Sequence, residues 1–246
     1  MSRTVFLLAI AVLLPVVLPG ESAVDQALRG IESLADGGWR RMEFSRTPPT
    51  VYDLVEEGEE SDVALRAHSI RGAALLWRPF EVEPGERMEM AWRWRVSSTV
   101  AGAELAERRA DDAAARVYVG FRYSPELVPR WQRLKYALAK LRFGQMPPYG
   151  ALCYVWADEE PPGTRLVSPH YERLRVVVLR DRTGPVGEWA EERVDIGAEF
   201  ERQFGFEAPP VSHVAVMTDG DDTGAGVTAW YADLRVETGE AEDAER

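Results

Sequence analysis

An all-β sandwich, jelly-roll-like and antiparallel with one inserted amphipathic helix, is the fold class this sequence predicts. Three observations predict it. Met88, Met90, Trp92, Trp94 and Val96 alternate with Glu89, Ala91, Arg93 and Arg95, the period of two that half-buries a strand. The alternation returns in Ala115, Val117, Val119, Phe121 and Tyr123, set against Arg116, Tyr118 and Arg122. About ten or eleven such short runs are separated by turn residues, with one convincing helical period among them.

Taken in order, residues 1–23 read as a secretory signal. Arg3 supplies the positive start and Val5 to Leu18 the apolar run, which falls short of the about 20 residues a membrane-spanning helix needs. The sandwich domain is assigned to 24–237. A short helix over 23–35 ends at Asp36-Gly37-Gly38. Strands follow at 39–44, 51–55, 63–69, 73–80 (with a boundary at Pro79), 88–96 and 115–123. The acidic run 56–62 is a solvated hairpin loop.

Residues 125–144 break the rhythm. Trp131, Leu134, Leu138 and Leu141 recur at helical spacing, and Arg130, Arg133, Lys135, Lys140 and Arg142 supply charge with no acid among them. The expectation is a helix packed across an open end of the sandwich, with 130–142 as the place a protein partner or membrane surface would meet if it is not. Strands resume at 152–156, 173–180 and 189–196, with a helical turn at 198–204. The stretch 238–246 is acidic, lacks aromatics and reads as a disordered tail.

Composition narrows the function classes. A formal charge of −12 argues against nucleic acid and against general adhesion to anionic membranes. Export to the periplasm or the extracellular space follows from the signal segment, with no further membrane span. The single cysteine, Cys153, has no internal partner and lies in an apolar run, where a thiol acts as a small buried hydrophobe. Cohesion therefore falls to the core, which eight Trp, eight Tyr and eight Phe can fill.

The closing strand pair carries the most distinctive stretch. Val214-Ala215-Val216-Met217 is apolar at successive positions, as a strand covered on both faces would be. After it comes Thr218-Asp219-Gly220-Asp221-Asp222-Thr223-Gly224. Beyond that, Thr228, Trp230, Ala232, Leu234 and Val236 alternate with Tyr231, Asp233 and Arg235. Asp219, Asp221 and Thr223 begin like a calcium loop, whose alternate oxygens converge on a hard cation. A structural Ca2+ held there, with Asp111 and Asp112 as the second segment, stands beside a plain hairpin turn.

The polar sides of the strands give a second candidate. Arg93, Arg95, Arg116, Tyr118, Tyr231 and Asp233 would share a surface if their strands are neighbours. There, guanidinium forks would meet carboxylates and aromatic rings would stack on sugars. Arg–carboxylate pairs bridging strands are the structural alternative. His68, His170 and His213 are dispersed without metal-ligand spacing, and no nucleophile–base set assembles.

Several segments, in this order, carry a family resemblance: Met90 to Val96, Asp111 to Val119, Leu152 to Trp156, Gly187-Glu188-Trp189, Phe204-Gly205 and Thr218 to Gly224. Together the chain from about Trp39 to Val236 resembles the bacterial family catalogued as domain of unknown function 3047. The resemblance implies an exported jelly-roll-like domain, similar in outline to carbohydrate-binding modules, and no established activity. The expectation is a non-catalytic module that binds a carbohydrate or another envelope polymer, with Asp112, Arg116 and the aspartate loop at the binding edge. The alternatives are a polysaccharide-acting enzyme using loop carboxylates, or a structural envelope protein.

Overall fold

A computed structural model of the chain describes residues 34, 37–57, 62–85, 87–143 and 148–239. The proposed signal segment, most of the 23–35 helix and 240–246 lie outside them. Two sheets face each other. The larger runs in the order β1 (Arg40–Glu43), β4 (Ala74–Val82), β11 (Val211–Met217), β6 (Ala115–Phe121), β7 (Gly150–Trp156), β9 (Leu174–Arg180), β8 (Arg165–Val167). The smaller runs β10 (Ala190–Asp195), β5 (Arg87–Val96), β12 (Gly226–Gly239), β3 (Asp62–Ile70), β2 (Val51–Glu57). The chain changes sheet at seven of its eleven strand-to-strand steps, wrapping as a jelly roll does. All pairings are antiparallel except β7 with β9.

The predicted β-sandwich is what the chain forms. Differences lie at the margins: β8 was not foreseen, and β12 runs to Gly239, two residues into the stretch assigned to the tail. Pro79 lies inside β4 rather than bounding it. It is tolerated because β1 covers only Ala74 to Trp77, and β11 carries a bulge between Val211 and His213 opposite Pro79.

The core between the sheets is aromatic. Trp92 meets Trp94 edge-on at 5.5 Å and Tyr154 at 5.4 Å, and Trp94 lies 5.7 Å from Trp156. The indole N–H groups of Trp94 and Trp156 donate to Glu192 (3.0 Å) and to the Asp181 carbonyl (3.0 Å). A nine-residue helix, α2 (Ile196–Phe204), closes one end. Asp195 caps its start by accepting from the Ala198 amide, and Gly205 ends it in the left-handed region. Phe200 from α2 packs 4.4 Å from Phe121.

The outer face of the larger sheet is apolar too. Leu75, Trp77, Tyr118, Cys153, Val155, Val176, Val178 and Ala215 form a second cluster there, partly covered by Met42, Phe44 and Tyr171. So β6 and β7 are buried along their whole length, and β11 is apolar on both faces because both faces are covered.

The basic helix, α1 (Arg130–Phe143), follows a 3-10 turn at Pro125–Leu127. It docks through Tyr136, whose ring lies 4.6 Å from Tyr123 and whose hydroxyl accepts from Arg173. The predicted apolar stripe does not face the sandwich: Trp131, Leu134, Leu138 and Leu141 are exposed.

Candidate functional site

β11 ends at Met217 directly opposite Arg116, where β6 begins. The segment entering β6 and the loop leaving β11 therefore meet at one end of the larger sheet. They are laced together: the Asp219 amide donates to the Ala113 carbonyl (3.2 Å), and the Ala113 amide donates to Asp219 Oδ1 (3.1 Å). Asp112, fully buried, accepts from the amides of Asp222 (3.2 Å) and Thr223 (2.6 Å) and so holds the turn. Gly220 is required sterically, since a Cβ there would stand 2.6 Å from the Ala225 carbonyl oxygen.

Arg116 extends from β6 onto the outer face of the sheet. Its Nε donates to Asp219 Oδ1 (3.0 Å), and its Nη2 donates to Asp111 Oδ1 (2.9 Å) and the Asp111 carbonyl (2.8 Å). His170 Nε2 lies 3.3 Å from the other Asp111 oxygen. Burial works against the Arg116 charge, yet Asp111 and Asp219 outweigh it and raise its pKa well above the ordinary value. Burial lifts the Asp219 carboxyl well above the usual range, opposed by Arg116 and reinforced by Asp112, Asp111 and Asp221.

These groups form one wall of a cleft of about 130 Å³. Arg116, Asp111, Asp219, Asp221 and His170 supply polar atoms; Leu75, Tyr118, Leu174 and Met217 make the apolar floor; and Met42, Phe44, Ser45 and Thr47 form the rim. Cys153, beneath the floor, is inert: burial pushes its thiol up to about 12.

Of the candidate residues, Asp112, Arg116, Tyr118, Asp219, Asp221 and Thr223 come together. Asp112, Asp219 and Asp221 each offer an oxygen within 4.8 Å of the others. Thr223 is not in that trio, but its hydroxyl is buried without a hydrogen-bond partner. Tyr231 is a correction. It points between the sheets, where its hydroxyl donates to the Met217 carbonyl (2.7 Å), contacts Thr218 Oγ1 (2.8 Å) and accepts from the Arg116 amide (3.3 Å). It cannot touch a ligand, but it fixes the strand ends that carry the site.

Arg93, Arg95 and Asp233 are the other correction: they lie on the smaller sheet, away from Arg116 and Tyr118. Arg93 pairs with Asp233 at 2.5 Å, and Arg95 lies 4.2 Å over Trp230 and 5.1 Å over Trp189. Sequence reading missed His170, Ser168 and the 42–47 rim. Ser168 and His170 sit between two short strands, and only the folding of that connection over the sheet brings them to Asp111.

The family model described as "Protein of unknown function (DUF3047)" matches residues 37–235. The chain belongs to this DUF3047 family. No curated protein matches the sequence. Among solved structures, the chain is similar to the family 11 carbohydrate-binding module of a Clostridium thermocellum cellulosomal cellulase, at 9% identity and TM-score 0.41, covering 92% of this chain and 99% of that one. It is similar to a family 12 xyloglucanase from Bacillus licheniformis, at 9% identity and TM-score 0.42, covering 78% and 88%. A xyloglucanase domain from Sinorhizobium fredii gives 10% identity and TM-score 0.38, covering 82% and 93%. At these identities and scores the likenesses say nothing about which ligand this DUF3047 chain takes.

Proposed function

We propose that this DUF3047 chain is an exported, non-catalytic binding module whose outer-face cleft receives one unit of a carbohydrate or another cell-envelope polymer. The observation that carries this reading is the division of the cleft into two chemistries. Carboxylates and an imidazole line one wall, and Tyr118 with aliphatic side chains lines the floor. A sugar ring has the same division, hydroxyls at its edge and C–H groups on its face. The volume, about 130 Å³, is below that of cavities of about 150 Å³ that hold benzene, so the edge of one unit enters and the rest of a polymer continues outside.

In this reading Asp221, which is partly exposed, and Tyr118 touch the ligand, while Asp112 and Arg116 hold the wall in position. The aspartate loop would also hold a Ca2+ through Asp112, Asp219, Asp221 and Thr223, with the remaining oxygens coming from backbone and water. A glycan array followed by calorimetry on the hits tests the proposal. Asp221→Asn should weaken binding at least tenfold, about 1.4 kcal/mol, and Ser45→Trp at the exposed rim should block it. Unchanged affinity in both variants would remove the cleft from consideration.

One observation favours a second reading. Asp219 and Asp221 each offer a carboxylate oxygen within 4.8 Å of the other on one wall, and glycoside hydrolysis uses a pair of carboxyl groups. Product release from an array hit, abolished by Asp221→Asn, would replace binding with catalysis.

A further inference from the structure

The face that α1 turns to solvent is unlike the rest of the surface. The helix is anchored by its opposite side: Tyr136 is buried, and Arg133 Nε donates to the Val128 carbonyl at 2.9 Å. On the free side, Trp131, Leu134, Leu138 and Leu141 recur at i, i+3, i+7 and i+10, one continuous stripe along three turns. Their exposures are 67, 66, 57 and 84%. Four large apolar side chains side by side in water are costly, and the helix gains nothing from them within its own fold.

Charge says what covers them. Between Arg130 and Phe143 there are five cations and no acid, within a chain of net charge −12, and both of its lysines are here. By helical angle, Arg130 borders one edge of the stripe and Lys135 the other. Lys135 Nζ lies 5.3 Å over the Trp131 ring. An apolar stripe edged by long cationic side chains, with Trp among its members, is the composition of a helix lying in a lipid head-group layer. The net negative charge does not oppose this locally, because ionic screening limits its reach to about 8 Å.

We propose that α1 docks the protein onto an anionic lipid surface, with Trp131, Leu134, Leu138 and Leu141 entering the acyl boundary and Arg130 and Lys135 meeting the head groups. α1 itself, at 14 residues, is too short to cross a membrane and would lie along its surface. β6 begins beside the aspartate loop and ends at the connection to α1. That places the loop a strand's length, about 20 Å, from the docked end.

The test uses the full chain with Leu138→Cys carrying an environment-sensitive dye; Cys153 is buried and does not compete for it. A dye at this position reports α1 itself and separates its docking from any vesicle contact made by residues 5–18. With vesicles containing about one third phosphatidylglycerol, the emission should shift to the blue. Lys135→Glu should weaken the partition at least about fivefold, the equivalent of about 1 kcal/mol for each cation at the surface. Leu134→Glu with Leu141→Glu should abolish it at unchanged melting temperature. No shift, or an equal shift with neutral phosphatidylcholine vesicles, overturns the proposal. So does a shift that grows with protein concentration in the absence of vesicles, which would assign the stripe to a second copy of the chain.

Discussion

Arg116 Nε lies 3.0 Å from Asp219 Oδ1, with both side chains almost completely removed from water. The pair joins β6 to the loop after β11, and Asp111 takes the other arm of the same guanidinium. Arg116→Met would leave two buried carboxylates without their counter-charge. The expected loss is about 3–5 kcal/mol, because an uncompensated buried charge costs more than the pair contributes. Asp219→Asn should cost much less, since the amide oxygen still accepts from Ala113 and Arg116. Chemical denaturation of both variants checks this; equal losses would mean that the ion pair does not organise the loop.

Tyr231→Phe removes one oxygen and three contacts. The hydroxyl links the Met217 carbonyl, Thr218 Oγ1 and the Arg116 amide, so it ties the smaller sheet to the strand ends beneath the cleft. Buried groups left without partners cost about 1–3 kcal/mol. The melting temperature should fall by about 2–4 °C for each kcal/mol in a domain of this size. A fall of less than a degree would show that water or a shifted side chain takes the hydroxyl's place.

How much of this was legible in the sequence depended on whether local period survived tertiary packing. In β5 it did: Met88 to Val96 alternate, and Trp92 and Trp94 go inward as read. In β12 it failed midway. Asp233 sits at a positive φ of 53°, and the register with β5 slips between Ala232 and Arg235. Leu234 and Val236 therefore share the core with Tyr231, while Trp230 turns out over Arg95. A bulge at a non-glycine residue leaves no mark that alternation can detect. That Arg116 and Tyr118 share the side opposite the core is legible in the alternation, but nothing local shows that 42–44 and 168–171 fold over it. The aspartate loop was legible because Asp and Gly at a strand end have few other uses. For α1, the stripe was read correctly and its direction was not; period fixes which residues share a face, not what that face meets.

Calcium should raise the melting temperature if the loop holds it. Asp112, Asp219 and Asp221 carry like charges with an oxygen each inside 4.8 Å, and a divalent ion relieves their repulsion. At a concentration about a hundred times the dissociation constant, the gain is about 2.7 kcal/mol. A chelator should reverse it, and Asp221→Asn should remove most of it while leaving the fold intact. Melting curves that superimpose with calcium and with chelator would withdraw the cation and leave Asp112 as a turn-holding residue alone.

His213 should govern the acid limit of stability. Its ring lies against Gly120, where a Cβ would stand 2.1 Å from the imidazole, and its Nδ1 is 3.0 Å from Ser212 Oγ. Burial pulls its pKa down from 6.5 to about 4. The unfolded chain therefore takes up a proton near pH 6.5 that the folded chain refuses until about pH 4. Stability is fully present above 6.5 and is lost as pH falls through that window. The interval corresponds to about 3 kcal/mol. Melting temperature measured across it should fall steeply for the native chain and more gently for His213→Leu, which has no proton to take up. Gly120→Ala should destabilise at every pH, because the methyl group and the ring claim the same space. If His213→Leu follows the same acid slope as the native chain, the titration belongs to another group, and the ring's place over Gly120 is a matter of packing alone.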